Sequence, residues 1–293
     1  MNITAKDINT KAIFSNFKKR DKDSHKGTYG RALLICGSFG MAGAAVLCAK
    51  SAVLSGVGIA EVICPKSIYP IISASVPEAV FTPIEDNPTS ADCKNIINSI
   101  KKADSIVIGC GMGQSDYTNK LLYLTLNHSK VPTIIDADGI NCIAHNIELI
   151  DNASCDIIIT PHPFEMSRIS GKSVLDIQKN RIDQAFDFAK QHNITVVLKG
   201  HNTVIANSKN ISINHTGNAG MATAGSGDML SGIMAAFLAQ NMGVFQSAES
   251  AVHIHGICGD KSRDKYSEIS TTPTSMIEML PFVFKEIEQL WKD

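Results

Sequence analysis

The sequence is short of several things that would assign it to a class at once. Its eight cysteines (36, 48, 64, 93, 110, 142, 155 and 258) never form a C-x-x-C pair, so the linear spacing of a structural metal site is missing. Most fall inside apolar runs and read as small buried hydrophobes in a reducing compartment, not as a disulfide framework. No run of about 18 apolar residues occurs, and MNITAKDINTKAIFSNFKKRDKDSHKG at the N-terminus lacks an apolar stretch of signal-peptide length. A cytoplasmic protein is expected. An excess of charge is also absent: 27 basic and 28 acidic residues give a net charge of −1, which leaves no basic field to gather nucleic acid or anionic lipid. The expected partners are small molecules or like subunits.

What is present suits an enzyme-sized globular chain of 293 residues, 44% hydrophobic and 19% charged. Residues 1–25 are polar and read as an amphipathic lead-in helix followed by an exposed linker. From Arg31 onward short apolar runs alternate with helical patterns. ALLIC (32–36), IAEVIC (59–64), SIVIG (105–109), TIID (133–136), DIIIT (156–160) and TVVLKG (195–200) read as strands. Helical spacing of apolar residues marks 42–56, 116–129 and 173–193. Continuous rather than alternating apolar strands imply a sheet covered on both faces, and the helical spacers imply right-handed crossovers. TVIAN (203–207) and ISINH (211–215) read as a hairpin, and helices follow over 228–240, 244–264, 273–280 and 281–291. With no interdomain linker, residues 1–293 are expected to form one α/β domain.

Ligands of such sheets sit beyond the carboxyl ends of the strands, so the polar and glycine-rich segments that follow strands carry the chemistry. HKGTYG (25–30) precedes the first core strand and CGSFGMAGAA (36–45) follows it, either as a close backbone approach to a ligand or as a structural turn. It is neither a G-x-x-x-x-G-K-[ST] phosphate loop nor a G-x-G-x-x-G fingerprint. IGCGMG (108–113) ends another strand in the same manner. In DADGIN (136–141), Asp136 and Asp138 suit either a water-mediated Mg²⁺ or a helix cap. TPHPFEMSRI (160–169) sets His162 and Glu165 at a strand end, with Thr160 placed as an N-cap. LKGHNTVI (198–205) offers Lys199, Gly200, His201, Asn202 and Thr203 above the sheet, where the lysine either neutralises phosphate or decorates a turn. His253 and His255 sit on a helical pattern and read as packing residues. The most specific stretch is ATAGSGD (222–228). It supplies consecutive backbone amides at a helix start, and Asp228 beside them either caps the helix or acts as a base toward a hydroxyl that receives a phosphoryl group.

Taken together and in this order, HKGTYG, the GA step of Gly43 and Ala44, DADGIN, TPHPFE, LKGHNTVI and NAGMATAGSGD resemble the ADP/ATP-dependent NAD(P)H-hydrate dehydratases of the ribokinase-like superfamily, over roughly residues 25 to 285. The resemblance implies a three-layer sandwich around a mostly parallel sheet. It also implies repair of the S epimer of hydrated NADH or NADPH, with ADP giving AMP and phosphate and Mg²⁺ on the nucleotide phosphates. It places Ala44, Gly111, His162 and Asp228 on the hydrated cofactor, with Lys26, Gly27, Tyr29 and Gly30 shaping its rim. Lys199 to Thr203 and Gly225, Ser226 and Gly227 are placed on the nucleotide side. A homotetramer is implied, and with so few residues before His25 the epimerase is expected to be a separate protein or absent. Three positions depart from the family pattern: Phe164 in place of Gly, AGSGD in place of a GGTGD-like core, and Cys110 in place of Pro. A small-molecule kinase of the same superfamily, such as one acting on hydroxyethylthiazole, uses the same amides and aspartate, and a nucleotide-binding sensor without catalysis is the non-enzymatic alternative.

Overall fold

Ten strands form one sheet: β1 (Lys6–Asp7), β2 (Arg31–Ile35), β3 (Ile59–Pro65), β4 (Val80–Ile84), β5 (Ser105–Ile108), β6 (Thr133–Ile135), β7 (Ile157–Ile159), β8 (Thr195–Leu198), β9 (Thr203–Ala206) and β10 (Ile211–Asn214). They are arranged β1-β10-β9-β8-β7-β6-β5-β2-β3-β4. Only β9 runs antiparallel to its neighbours; the other pairings are parallel. This computed structural model describes residues 3–291, so residues 1, 2, 292 and 293, the outer ends of the expected domain, lie outside the described residues.

The period-two geometry of strands explains the two apolar layers. Ala32, Leu34 and Cys36 face one side and pack with the helices Ala42–Leu54, Ser226–Ala239 and Val244–Lys265. Leu33 and Ile35 face the other and pack with Ser90–Ile100, Asp116–His128 and Arg181–Gln191. This is the expected sandwich with a mostly parallel sheet. No helix of the described residues is long and apolar enough to cross a membrane.

Four features differ from the sequence reading. β1 was read as part of a lead-in helix, but two polar residues pair along β10 and carry no apolar period to announce it; the helix that follows is only Thr10–Phe14. The segment after it is no free linker, because Phe17 stacks edge-on against Phe237 with ring centroids 5.1 Å apart. β4 contains Pro83, which a strand tolerates at the sheet edge, where its missing N–H leaves no ladder bond unmade. The continuous helix over 173–193 breaks at Asn180, whose φ of −129° and ψ of 44° are not helical, into Val174–Lys179 and Arg181–Gln191.

Two consequences position the site. The chain steps from β2 outward to β3 and β4 and then returns to place β5 on the other side of β2, so a crevice opens beyond the carboxyl ends of β2 and β5. In addition, the Ser226–Ala239 helix lies directly on Ala42–Leu54. A Cβ on Gly232 would stand 2.1 Å from the Cys48 carbonyl oxygen, and Ser51 Oγ donates to the Met229 carbonyl at 3.0 Å. Gly232→Ala is therefore expected to cost about 1–3 kcal/mol of stability through overpacking. Denaturant unfolding measures it, and an unchanged midpoint would contradict this account of the helix contact.

Candidate active site

β6 ends at Asp136 and β8 leads into Lys199, and the two side chains meet above the sheet. Lys199 Nζ lies 2.8 Å from Asp136 Oδ1, and the carboxylate is 1% exposed. Every strong acceptor direction of Asp136 is used: Oδ1 also accepts from Ala137 N at 2.9 Å, and Oδ2 accepts from Ser231 Oγ at 2.8 Å with Cys110 Sγ at 3.7 Å. Burial works to raise the Asp136 carboxyl, but Lys199 and the hydrogen bonds outweigh it and hold the group below its ordinary range. Burial likewise opposes the charge on Lys199, and Asp136 and Glu165 overcome it, so the ammonium persists above its ordinary value. The backbone beneath it is clamped: Lys199 N donates to the Pro161 carbonyl at 2.8 Å, and Arg181 Nη2 donates to the Leu198 and Lys199 carbonyls at 2.8 and 3.2 Å.

The first turn of the Ser226–Ala239 helix stands on this pair. Gly225 caps it with φ of +92°, where a Cβ would fall 2.4 Å from Leu47 Cδ1. The amides of Gly227 and Asp228 have no acceptor within the helix, as its geometry requires, and so project unpartnered donors with the positive end of the dipole. A Cβ on Gly227 would lie only 3.1 Å from Lys199 Nζ, so the ammonium reinforces the same positive region. Asp228 is not the cap. Its carboxylate points into the fold, where the ligand atoms of Cys110, Asp136 and Asp228 all lie within 4.8 Å of one another. Burial, with Cys110 and Asp136 beside it, pushes the Asp228 carboxyl up to about 9.

Across the crevice, Gly111 adopts φ of +61°, and a Cβ there would stand 2.5 Å from the Ala44 Cβ. The two loops are tied by Gly37 N donating to the Cys110 carbonyl at 2.8 Å and Ser38 Oγ to the Gly111 carbonyl at 2.9 Å. His162, not Thr160, caps the helix Pro163–Ser170: its Nδ1 accepts from Phe164 N and Glu165 N, while Glu165 Oε2 accepts from His162 N at 2.8 Å. A capping histidine followed by proline satisfies the same amides that a threonine two residues earlier cannot reach. Burial, with Lys199 and Arg168 nearby, lowers the His162 imidazole below its ordinary value. Glu165 is buried and its carboxyl is pushed up to about 7. Phe164 is 62% exposed and stands edge-on to His162 at 6.0 Å.

A cavity of about 1010 Å³ opens between the 199–203 turn and the 214–224 loop. Of the residues read from the sequence, His162, Lys199, Gly200, His201, Asn202, Thr203, Ser226 and Gly227 line it. Ala44 and Gly111 do not line it but pack against each other where the loops after β2 and β5 meet, and Asp228 lies beside Cys110 and Asp136.

Other assignments are corrected. Lys26 and Tyr29 do not reach this site within the chain. They belong to a 3₁₀ turn, Lys26–Tyr29, whose neighbour Gly30 packs on the Ala239 carbonyl at the far end of the Ser226–Ala239 helix. Eleven residues of helix at about 1.5 Å each carry the chain from Asp228 to that end, a separation of roughly 16 Å. There Gly27 and Gly30 serve a tight turn, and Tyr29 is held by Ser24 Oγ at 2.7 Å and by the Arg20 guanidinium 3.8 Å over its ring. Asp136 does not fit the role of a Mg²⁺ ligand, because its oxygens are engaged by Lys199 and its neighbours. Asp138 spends Oδ2 on Gly113 N at 2.7 Å, anchoring the crevice loop, and its other oxygen is what the pair offers to a hydrated cation. His255 is no packing residue: it lines the cavity with Nε2 3.2 Å from Ser226 Oγ. His253, two positions earlier and thus on another face of the helix, is buried against Asn214 and Thr10. That angular offset was the available signal that the two histidines differ.

The family model for NAD(P)H-hydrate dehydratase matches residues 32–282. The ADP-dependent (S)-NAD(P)H-hydrate dehydratase of Neisseria meningitidis is 36% identical over 249 residues, covering 83% of this chain and 81% of that protein. The bifunctional NAD(P)H-hydrate repair enzyme of Thermofilum pendens is 34% identical over 92% of this chain, and the chain spans about half, 52%, of that relative's length. Among solved structures, the ADP/ATP-dependent NAD(P)H-hydrate dehydratase of Bacillus subtilis, co-crystallised with ATP and Mg²⁺, superposes with a TM-score of 0.85 at 30% identity, covering 98% of this chain and 99% of that one. With its ribokinase-like sandwich, its glycine-bearing crevice and its Asp228 at the helix start, the chain belongs to the NAD(P)H-hydrate dehydratase family.

Proposed function

We propose that the chain is an ADP-dependent (S)-NAD(P)H-hydrate dehydratase that returns hydrated NADH and NADPH to the reduced cofactors. The observation that carries this is the juxtaposition of Asp228 with the unpartnered amides and the Lys199 ammonium at one helix terminus. A carbinol hydroxyl is a poor leaving group, and phosphorylation makes it a good one. Asp228 takes the proton of the ring hydroxyl, whose oxygen attacks the β-phosphorus of ADP and expels AMP. The amides of Gly227 and its neighbours receive the charge that develops on the transferring phosphoryl. Loss of phosphate from that carbon and of a proton from the adjacent ring carbon then restores the dihydropyridine.

The division of space supports the same reading. The hydrated nicotinamide is assigned to the side of Ala44, Gly111 and the His162 edge of the cavity, and the nucleotide to the part of the cavity lined by Lys199–Thr203 and Ser226–Gly227. His255 and Ser226 form part of the nucleotide wall. Asp138, through its free oxygen and a water, would hold a Mg²⁺ brought with the nucleotide, which would supply charge neutralisation at the phosphates. Lys199, already neutralising Asp136, acts on the phosphates by sharing its charge with the first helix turn. Phe164, exposed beside His162, narrows the cofactor side. The working form is taken as a cytoplasmic homotetramer, and the bifunctional NAD(P)H-hydrate repair enzymes among its relatives motivate an NAD(P)H-hydrate epimerase as its functional partner.

Three outcomes are expected. Incubation with hydrated NADH, ADP and Mg²⁺ restores absorbance in the reduced-nicotinamide band, and no recovery with either ADP or ATP would contradict the assignment. Asp228→Asn lowers kcat by roughly 10²- to 10⁴-fold while nucleotide affinity, read by calorimetry, stays near that of the parent; retained turnover would remove Asp228 as the base. Because the carboxyl is raised from 3.8 to about 9, the folded chain holds a proton that the unfolded chain has lost through most of that interval. Stability therefore falls as pH rises from about 4 toward 9. Asp228→Asn removes this cost and is expected to unfold at higher temperature than the parent at pH 8, by an amount corresponding to a few kcal/mol, with the gap closing toward pH 4. An equal or lower melting temperature at pH 8 would refute the raised carboxyl.

A further inference from the structure

Absent from the linear sequence, metal-ligand spacing reappears in space. Cys36 immediately follows β2, Cys48 lies in the middle of the Ala42–Leu54 helix, and Cys110 follows β5. Their side chains meet beneath the topological switch point, each no more than 1% exposed. Cys36 Sγ and Cys48 Sγ are 4.0 Å apart, and the three sulfurs all lie within 4.8 Å of one another. Two sulfurs bound at about 2.3 Å to one tetrahedral ion stand about 3.8 Å apart, so small side-chain adjustments bring this trio to bonding distance of a common centre. All three are free thiols, and nothing in the dehydration chemistry uses Cys36 or Cys48.

We propose that Cys36, Cys48 and Cys110 form a site for one thiophilic divalent cation of the zinc group, and that its occupation shuts down the adjacent centre. Three sulfur donors select soft or borderline cations over Mg²⁺, whose preference is for oxygen. On binding, three S–H bonds break, three metal–sulfur bonds form and three protons pass to solvent. The resulting complex carries one net negative charge, and the Lys199 ammonium, within reach of Cys110 through Asp136, faces it. Entry is from the half-buried Asp228 side, since Cys110, Asp136 and Asp228 form a second trio of ligand atoms within 4.8 Å that shares Cys110 with the first. Drawing Cys110 Sγ toward the cation takes it from its 3.7 Å contact with Asp136 Oδ2 and offers Asp228 as a fourth ligand; its carboxyl then releases a fourth proton to solvent, the four-coordinate complex carries two net negative charges, and the lone pair needed to accept the hydroxyl proton is occupied.

Cd²⁺ titration of the full chain tests this, with the near-ultraviolet thiolate-to-cadmium charge-transfer band as readout. The background is a Cys93→Ser, Cys155→Ser chain, which removes the half-buried thiols. Saturation is expected at one Cd²⁺ per chain with the intensity of three thiolates, and Cys48→Ala and Cys36→Ser should each weaken binding by at least about tenfold and lower the intensity by a third. No band, or a band unchanged in both variants, would overturn the site. Circular dichroism identifies any variant that fails to fold, and the second then carries the test. The shutdown rests on the dehydratase reading. Cd²⁺ should inhibit turnover in the parent, reversibly with chelator, and at least about tenfold less potently in Cys48→Ala; equal inhibition of both would overturn the link to the active centre. A parent without dehydratase turnover leaves the binding titration intact, so failure of the reading and failure of the site are told apart.

Discussion

The buried ion pair between Lys199 and Asp136 is the constraint on which the site depends. It joins the end of β6 to the end of β8, supports the first turn of the Ser226–Ala239 helix and sets the charge of everything around it. Removing one member would leave the other charged and desolvated, which typically costs about 3–5 kcal/mol. Its persistence is explained by full satisfaction of Asp136: two bonds at Oδ1, a serine and a thiol at Oδ2, and less than a hundredth or so of the carboxylate open to solvent. The same pair divides the neighbouring acids. Asp136 takes the cation and stays ionised, while Asp228, raised chiefly by burial and further by Cys110 and Asp136 beside it, keeps its proton to about 9.

That division turns an aspartate into a stronger base than aspartates ordinarily are, and it makes function and stability oppose each other. A group held protonated in the empty site must give up that proton before it can take one from a hydroxyl, and that loss requires positive charge brought close to it. In the proposed reaction the amides of the helix start, the Lys199 ammonium and the cation of the nucleotide would supply that charge within one turn of Asp228. Glycine at 227 is what permits this closeness, because a side chain there would meet Lys199 Nζ.

Much of this was legible in the residues themselves. The parallel strands announced themselves as β-branched runs, and ATAGSGD, TPHPFE and LKGHNTVI follow strands, so the sheet topology alone gathers them at one edge. What the residues did not disclose were properties of pairing in space. Lys199 and Asp136 are 63 positions apart, and each taken singly looked like a ligand for something else. Lys26 and Tyr29 lie apart from the site within one chain because a motif before a strand lies at the opposite edge from motifs after strands, a distinction that resemblance passes over. β1 has no period to read, and His255 was hidden by a helix that is buried on more than one face. The three thiols at 36, 48 and 110 show no motif at all, since a strand end, a helix and a second strand end bring them together.

The account turns on the ionisation of Asp228. Carboxyl-carbon NMR of the full chain, labelled at aspartate and assigned by comparison with Asp228→Asn, follows that group directly. A titration midpoint near about 9 is expected. A midpoint in the ordinary range near 3.8 would contradict the raised carboxyl, and with it the claim that burial, Cys110 and Asp136 make Asp228 a stronger base than an ordinary aspartate.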